Sequence, residues 1–241
     1  MGPPDTWDRM GEWLRGAGAG PRPKALLVVS GHWEDNGFAT TGAVRPPLIY
    51  DYSGFPPHTY QLKYDAPGDP ALAAQVAAIL SGAGFAARVD PERGWDHGVF
   101  IPLKLMYAES DIPLVQLSID RSLDPALHIR MGEALQPFRK EGVRIIASGM
   151  SYHNLRLFGS RAAGPSEVFD TWLTAAVTAT PEERTGLLTE WAKAPSARAA
   201  HPREEHLIPL MVAAGAAGTD VGRRVFSDVV LGARVSAYRF G

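Results

Sequence analysis

The chain has 241 residues, is 45% hydrophobic, and balances 24 Lys and Arg against 26 Asp and Glu for a formal charge of −2. That length and apolar content suit one α/β domain spanning residues 1–241, and the charge provides no basic field to hold a polyanion, which excludes nucleic acid as an expected partner. No cysteine occurs, so disulfides, thiolate metal sites and cysteine nucleophiles are excluded together.

In chain order, residues 5–16 place Trp7, Met10 and Leu14 on one helical face after an Asp5 cap. "GAGAGPRP" at 16–23 connects that helix to a strand, Ala25–Ser30. A second strand is predicted at Phe38–Val44, then an alanine-rich helix over 69–81 opened by Asp69-Pro70. Strands follow at Phe85–Val89 and Pro113–Ile119, and Asp124-Pro125 opens a helix whose stripe is Leu127, Met131, Leu135 and Phe138. After a strand at Val143–Ala147, helices are predicted over 165–178 and 182–193. A last helix runs from Pro202 to about residue 214, with Leu207, Leu210, Met211 and Ala214 at i, i+3, i+4 and i+7. Arg234–Phe240 is the final strand.

Alternating strands and helices predict a mostly parallel or mixed central sheet with helices on both faces. "ALLVV" and "RIIA" are apolar without alternation, as strands buried on both sides should be. The first residues lack a basic region followed by an apolar stretch, and no run approaches the ~18 apolar residues that cross a bilayer. A soluble cytoplasmic protein without a membrane partner is expected.

In open α/β sheets the working residues lie just past the carboxyl ends of strands. Ser30-Gly31-His32 follows one strand, Ser118 and Asp120 another, and Ser148-Gly149-Met150-Ser151-Tyr152-His153 a third. Glycine there lets the backbone approach a ligand closely, so His32 and His153 are candidates for a cleft. His97 lies in "RGWDHGVF", where Asp96 could orient it. His206 leans toward the buried side of the last helix, with Glu204 and Glu205 just ahead of it favouring the helix start. His58 sits in the proline-rich "GFPPHTY", His201 is expected to cap or lead into the last helix, and His128, about 100° round from its apolar stripe, is expected on a solvated face.

Four histidines from separate segments, His32, His97, His153 and His206, with no cysteine, match what an imidazole and carboxylate metal site requires. With an open coordination position such a set suits zinc hydrolysis or non-heme iron oxygen chemistry, and spacing alone leaves both open. A serine hydrolase is disfavoured, because G-x-S-x-G needs glycine where "GMSYH" has His153. "YDYSGFPPHTY" and "RGWDHGVF" are expected to line a pocket with Tyr52, Phe55, His58 and Trp95, which suits an aromatic ring.

Through "RPKALLVVSGHWE", "YDYSGFPPHTYQLKYDAPGDPALA", "GWDHGVFIPLKLMYAESDIPLVQLSI", "IASGMSYHNLR" and "AHPREEHLIPLMVAAGAAG", nearly the whole chain resembles the class III extradiol ring-cleavage dioxygenases, the protocatechuate dioxygenase catalytic subunit superfamily. It is most similar to the DOPA 4,5-dioxygenase-like branch. The resemblance implies an iron(II) enzyme that cleaves a catechol next to its diol with O2, giving a muconic semialdehyde-type product. Zn(II) is the alternative bound metal. It further implies that His32 and His206 are metal ligands, with Glu205 the carboxylate alternative, and that His153 is either a ligand or, preferably, the acid/base. His97 is implied to contact substrate or dioxygen. A small aromatic diol and O2 are the implied partners, and a homodimer is compatible with the family.

The family's HG(G/S)xP motif, a strand end carrying a first metal ligand, is absent from this chain, and "GPPDTWDRM" resembles the segment that follows it. The expectation is a start assigned too late, with that strand and ligand upstream. Two other readings are a zinc-dependent hydrolase built on the same histidines and a metal-poor relative acting as a binding protein.

Overall fold

The computed structural model describes residues 5–241. Its elements are α1 (Asp8–Ala17), β1 (Ala25–Asp35), β2 (Phe38–Thr41), α2 (Pro70–Gly82), β3 (Ala87–Asp90), α3 (His97–Met106), β4 (Leu114–Asp120), α4 (Pro125–Lys140), β5 (Val143–Ser148), α5 (Ala163–Thr178), α6 (Pro181–Thr189), α7 (Ala197–Ala200), α8 (Ile208–Ala217), β6 (Gly222–Val230) and β7 (Ala233–Phe240), with 3-10 turns at Pro57–Gln61 and Trp191–Lys193. The residues group into two compact units. One comprises Leu14–Ser122 with Pro137–Ser148, and the other comprises the described residues up to Trp13, Leu123–Gln136 and Gly149–Gly241.

The first unit holds a five-stranded sheet in the order β3-β2-β4-β1-β5. β1 runs parallel to β4 and β5, and β2 is parallel to β3 but antiparallel to β4, so the sheet is mixed. Leu26 and Val28 of β1 and Leu114 of β4 pack with Val99, Phe100 and Leu103 of α3. Alternation turns Leu117 to the opposite face. Leu117 pairs with Thr40, whose hydroxyl donates to the Ala73 carbonyl of α2 at 3.1 Å. Helices therefore cover both faces, as the alternating pattern implies. The Asp69 side chain caps α2 by accepting the Leu72 N–H at 2.9 Å, the role its Asp-Pro signature predicts.

Several elements depart from expectation. β1 continues past Ser30 to Asp35, with a register shift between Val29 and Glu34, so His32 lies inside a bulged strand rather than beyond its end. A bulge re-aims side chains, which is what a site at a strand's rim needs. β5 was expected to be buried on both sides, yet only Val143 is fully buried. Among the described residues β5 pairs only with β1, and one open edge explains the exposure. α3 carried no sequence signal because Pro102 stands at its centre. Proline cannot donate to the Gly98 carbonyl four residues back, and the Ser148 hydroxyl donates to that carbonyl instead.

The second unit contains the antiparallel hairpin β6-β7, of which only the second strand was foreseen. Leu231 (φ 50°) and Gly232 (φ 79°) form its two-residue turn, both with the positive φ that a type I′ hairpin loop requires. α5 packs on this hairpin, with Thr174 Oγ1 and the Tyr238 hydroxyl 3.0 Å apart and Arg224 3.1 Å from Asp170. Gly132 of α4 and Gly215 of α8 let those helices touch backbone to backbone: a Cβ would lie 2.1 Å from the Val212 oxygen in one case and 2.0 Å from the Ile129 oxygen in the other.

The last helix starts at Ile208, not Pro202, so Glu205 and His206 ride on the turn that leads into it. His128 is wholly buried, contrary to its expected solvated face, with Nδ1 2.7 Å from the Asp124 carbonyl. That bond satisfies the ring close to the backbone and lets α4 bury it. Among the described residues no helix is long and apolar enough to cross a membrane.

Candidate functional site

Among the described residues, each unit contains one grouping of two histidines and a carboxylate whose candidate ligand atoms lie within 4.8 Å of one another. In the first unit these are His32, Asp51 and His97. A parallel bridge between Leu48 and Trp95, with Ile49 N–H donating to the Trp95 carbonyl at 2.7 Å and Trp95 N–H to the Pro47 carbonyl at 2.8 Å, carries the 50–52 loop to the start of α3. Asp51 Oδ1 then accepts the His97 backbone N–H at 3.0 Å and lies 2.8 Å from its ring Nδ1. Asp51 Oδ2 is 3.6 Å from His32 Nδ1, and the two rings are tilted with centroids 4.0 Å apart. Burial pushes the Asp51 carboxyl up, but the hydrogen bonds and charge of His97, helped by His32, outweigh it and hold the pKa at about 2.

Asp96 does not orient His97, as its position in the sequence suggests. It is wholly buried, where it accepts the Ser30 hydroxyl at 2.8 Å and the Gln116 amide, with Arg93 at 3.4 Å. Ser30 Oγ in turn accepts the His32 backbone N–H at 3.2 Å, so Asp96 braces the strand end that carries His32. Burial raises the Asp96 pKa against those donors. Gly98 is required here: a Cβ would come within 2.6 Å of Ser30 Oγ and 2.9 Å of His32 Cδ2.

Tyr52 stands edge-on to His97 at 5.4 Å and meets Phe55 at 5.3 Å and Tyr60 at 5.2 Å. Its hydroxyl donates to the Thr59 carbonyl at 2.6 Å, so the ring rather than the hydroxyl faces this grouping. His58 is exposed on its 3-10 turn. Trp95, expected to line the pocket, is wholly buried in the core with Phe100 and Leu103. The bridge through its backbone pulls it inward, and it supports the loop from beneath.

In the second unit the grouping is His153, Glu205 and His206. The Met150 N–H donates to the His206 carbonyl at 3.0 Å, and the His153 N–H to the Ala200 carbonyl at 3.0 Å, which fixes both segments side by side. The two rings stack with centroids 3.4 Å apart at 19°. Glu205 Oε1 lies 2.9 Å from His206 Nδ1 and 3.3 Å from His153 Nδ1. Burial raises the Glu205 carboxyl, but bonds to both histidines outweigh it and hold it well below the usual carboxylate range.

His201, expected to cap or lead into the last helix, is instead buried beside this grouping, with Nε2 3.1 Å from the Ser151 carbonyl and its ring edge-on to Phe169 and Trp191. Burial drives its pKa down to about 3, so the ring is neutral.

Asp51 was missed in the sequence. Its signal was an acidic residue between two tyrosines, in a loop read for its aromatic content alone. Two imidazoles and a carboxylate, all nitrogen and oxygen donors with no thiolate, form a donor set that suits iron(II) or zinc(II).

Residues 5–238 match the family model described as the catalytic LigB subunit of aromatic ring-opening dioxygenase. The chain is 41% identical over 237 residues to the dioxygenase tasH of Hapsidospora irregularis, covering 91% of this chain and 72% of that protein. It is 44% identical over 201 residues to the 4,5-DOPA dioxygenase extradiol of Beta vulgaris, covering 82% of this chain and 74% of the other. With the enzyme of the same name from Escherichia coli K12 it shares 37% identity over 216 residues, 88% and 77% of the two chains. A crystal structure of an uncharacterized protein from Escherichia coli K12 superposes with a TM-score of 0.78 at 30% identity, covering 98% of this chain and 91% of that one. With its mixed α/β fold and two groupings of histidine and carboxylate, the chain belongs to the family of the catalytic LigB subunit of aromatic ring-opening dioxygenase, in the branch of the 4,5-DOPA extradiol enzymes, and is a ring-cleavage dioxygenase.

Proposed function

We propose that the protein is a non-heme iron(II) dioxygenase that opens a catechol ring next to its diol and releases a muconic semialdehyde-type product. The observation that carries the reading is the donor chemistry of the two groupings, imidazoles oriented by carboxylates, in a chain of this family. His32 and His206 are each proposed as metal ligands, as the family resemblance implies, and a bound metal would supply the electronic route between triplet dioxygen and a closed-shell ring. Glu205, the alternative ligand, instead orients: its Oε1 faces both Nδ1 atoms, which turns each Nε2 away from the carboxylate. Carboxylates that hold the far nitrogen of a ligand imidazole fix its tautomer and direction.

His153 acts as acid/base through Nε2, taking a catechol hydroxyl proton and returning one as the ring opens. His97 stabilises negative charge that develops on oxygen. Tyr52 and Phe55 wall the aromatic ring, and exposed His58 meets the polar substituent of the substrate. The names of the relatives make L-DOPA the first catechol to try.

The test is anaerobic loading with Fe(II), followed by oxygen uptake on addition of L-DOPA and of plain catechol. Stoichiometric uptake with growth of a conjugated product's visible absorbance is expected. A chain that turns over an ester or amide with Zn(II) and consumes no oxygen would replace this reading with the hydrolase.

A further inference from the structure

His97 is the first residue of α3, and an imidazole there could rotate about two bonds unless something fixes it. Both of its polar attachments go to a single atom, since Asp51 Oδ1 takes the backbone N–H at 3.0 Å and lies 2.8 Å from Nδ1. An oxygen that accepts from the backbone presents lone pairs, and a carboxylate oxygen has no proton to give. Nδ1 must therefore be the donor in this contact. The same aspartate is itself anchored, because its loop is pinned by the Leu48–Trp95 bridge over a wholly buried tryptophan. Tyr52, the next residue, closes one side of the imidazole edge-on at 5.4 Å.

We propose that Asp51 is a positioning residue for His97: it holds the ring in the Nδ1–H tautomer and presents Nε2 as the working nitrogen. The inference rests on the role given to His97 above. It does not extend to contact between Asp51 and substrate. A carboxylate behind a histidine that faces the reacting atoms sets which nitrogen carries the proton, and the wrong tautomer disables the ring without displacing it.

The test uses the full chain loaded with diamagnetic Zn(II) and labelled with 15N-histidine, read by long-range 1H–15N correlation, with His97→Gln identifying the His97 signals. The wild-type ring should show a protonated Nδ1 and an unprotonated Nε2. Asp51→Ala removes the acceptor, and the proton should redistribute toward Nε2. Asp51→Asn is the conservative variant: the backbone N–H of His97 needs an acceptor, which orients the amide so that its oxygen faces both donors, and the Nδ1–H tautomer should survive. With Fe(II) and L-DOPA, Asp51→Ala should lose about 100-fold in kcat with KM changed much less, the scale of a misplaced general acid/base, and Asp51→Asn should recover most of that loss. A wild-type ring protonated at Nε2, or a tautomer unmoved in Asp51→Ala, overturns the proposal. A tautomer that shifts while kcat stays constant leaves Asp51 as the positioner of His97 and overturns only the role assigned to His97 in turnover.

Discussion

Gly149→Ala tests how closely the chain that follows β5 is fitted to His206. A Cβ at Gly149 would lie 2.1 Å from the His206 carbonyl oxygen, 3.0 Å from its carbonyl carbon and 3.4 Å from its Cα. An ordinary carbon–oxygen approach is about 3.3 Å, so the two backbones must separate by about 1.2 Å. All three atoms are backbone, and none is the end of a flexible side chain, so nothing can swing aside. The separation also breaks the 3.0 Å bond from the Met150 N–H to the same oxygen. Overpacking costs about 1–3 kcal/mol and the lost hydrogen bond about 1 kcal/mol. For a chain of this size, at about 2–4 °C per kcal/mol, the sum lowers Tm by roughly 4–16 °C. A shift of about 1 Å at His206 also spoils ligand geometry, on a scale that can cost about 100-fold in function. Calorimetry and Zn(II) titration read the two effects. Gly186→Ala, in α6 with nothing within 4 Å of the new methyl, is the control and should gain about 0.5–1 kcal/mol. A Gly149→Ala protein with wild-type Tm and zinc affinity would refute the reasoning.

The Gly98 carbonyl, left without an intrahelical donor by Pro102, depends on Ser148. Ser148→Ala should cost about 1–3 kcal/mol in urea unfolding, and adding Pro102→Ala should return part of that by restoring a helical N–H; strict additivity of the two changes would refute the link. Buried His201 titrates near 3 when folded against 6.5 in its ordinary state. Between those values the unfolded chain holds a proton that the folded chain does not, so stability is fully present above 6.5 and falls as pH drops. The depressed carboxylates Asp51 and Glu205 add their own losses only further down, through their lower folded values. Stability should therefore already decline between pH 6.5 and about 5, and His201→Gln should flatten that slope in urea unfolding measured at both values. Oxygen uptake by the Fe(II)-loaded chain on L-DOPA should be lost in His153→Ala while much of the metal stays bound; complete metal loss would make His153 a ligand instead.

Elements with a strong local signal were legible before folding. Asp69-Pro70 and Asp124-Pro125 open α2 and α4 where the start rules place them, and the apolar runs of β1, β4 and β5 are strands. α3 was invisible because its central proline is tolerated only through a hydroxyl from β5, a partner about fifty residues away. The burial of β5 was overestimated because composition describes what a strand could bury, whereas its pairing order fixes what it does bury.

The sequence by itself determined the class of chemistry: no thiol, several histidines beside glycine-rich turns, and long ordered motifs shared with ring-opening dioxygenases. Only the tertiary structure decided which carboxylate serves which imidazole. Asp96 adjoins His97 in the chain, yet it is buried beneath β1, and Asp51, 46 positions away, holds the ring. The start of α3 turns consecutive side chains in different directions. Adjacency along the backbone therefore could not predict the pairing, which the Leu48–Trp95 bridge creates by bringing a distant loop to the head of the helix.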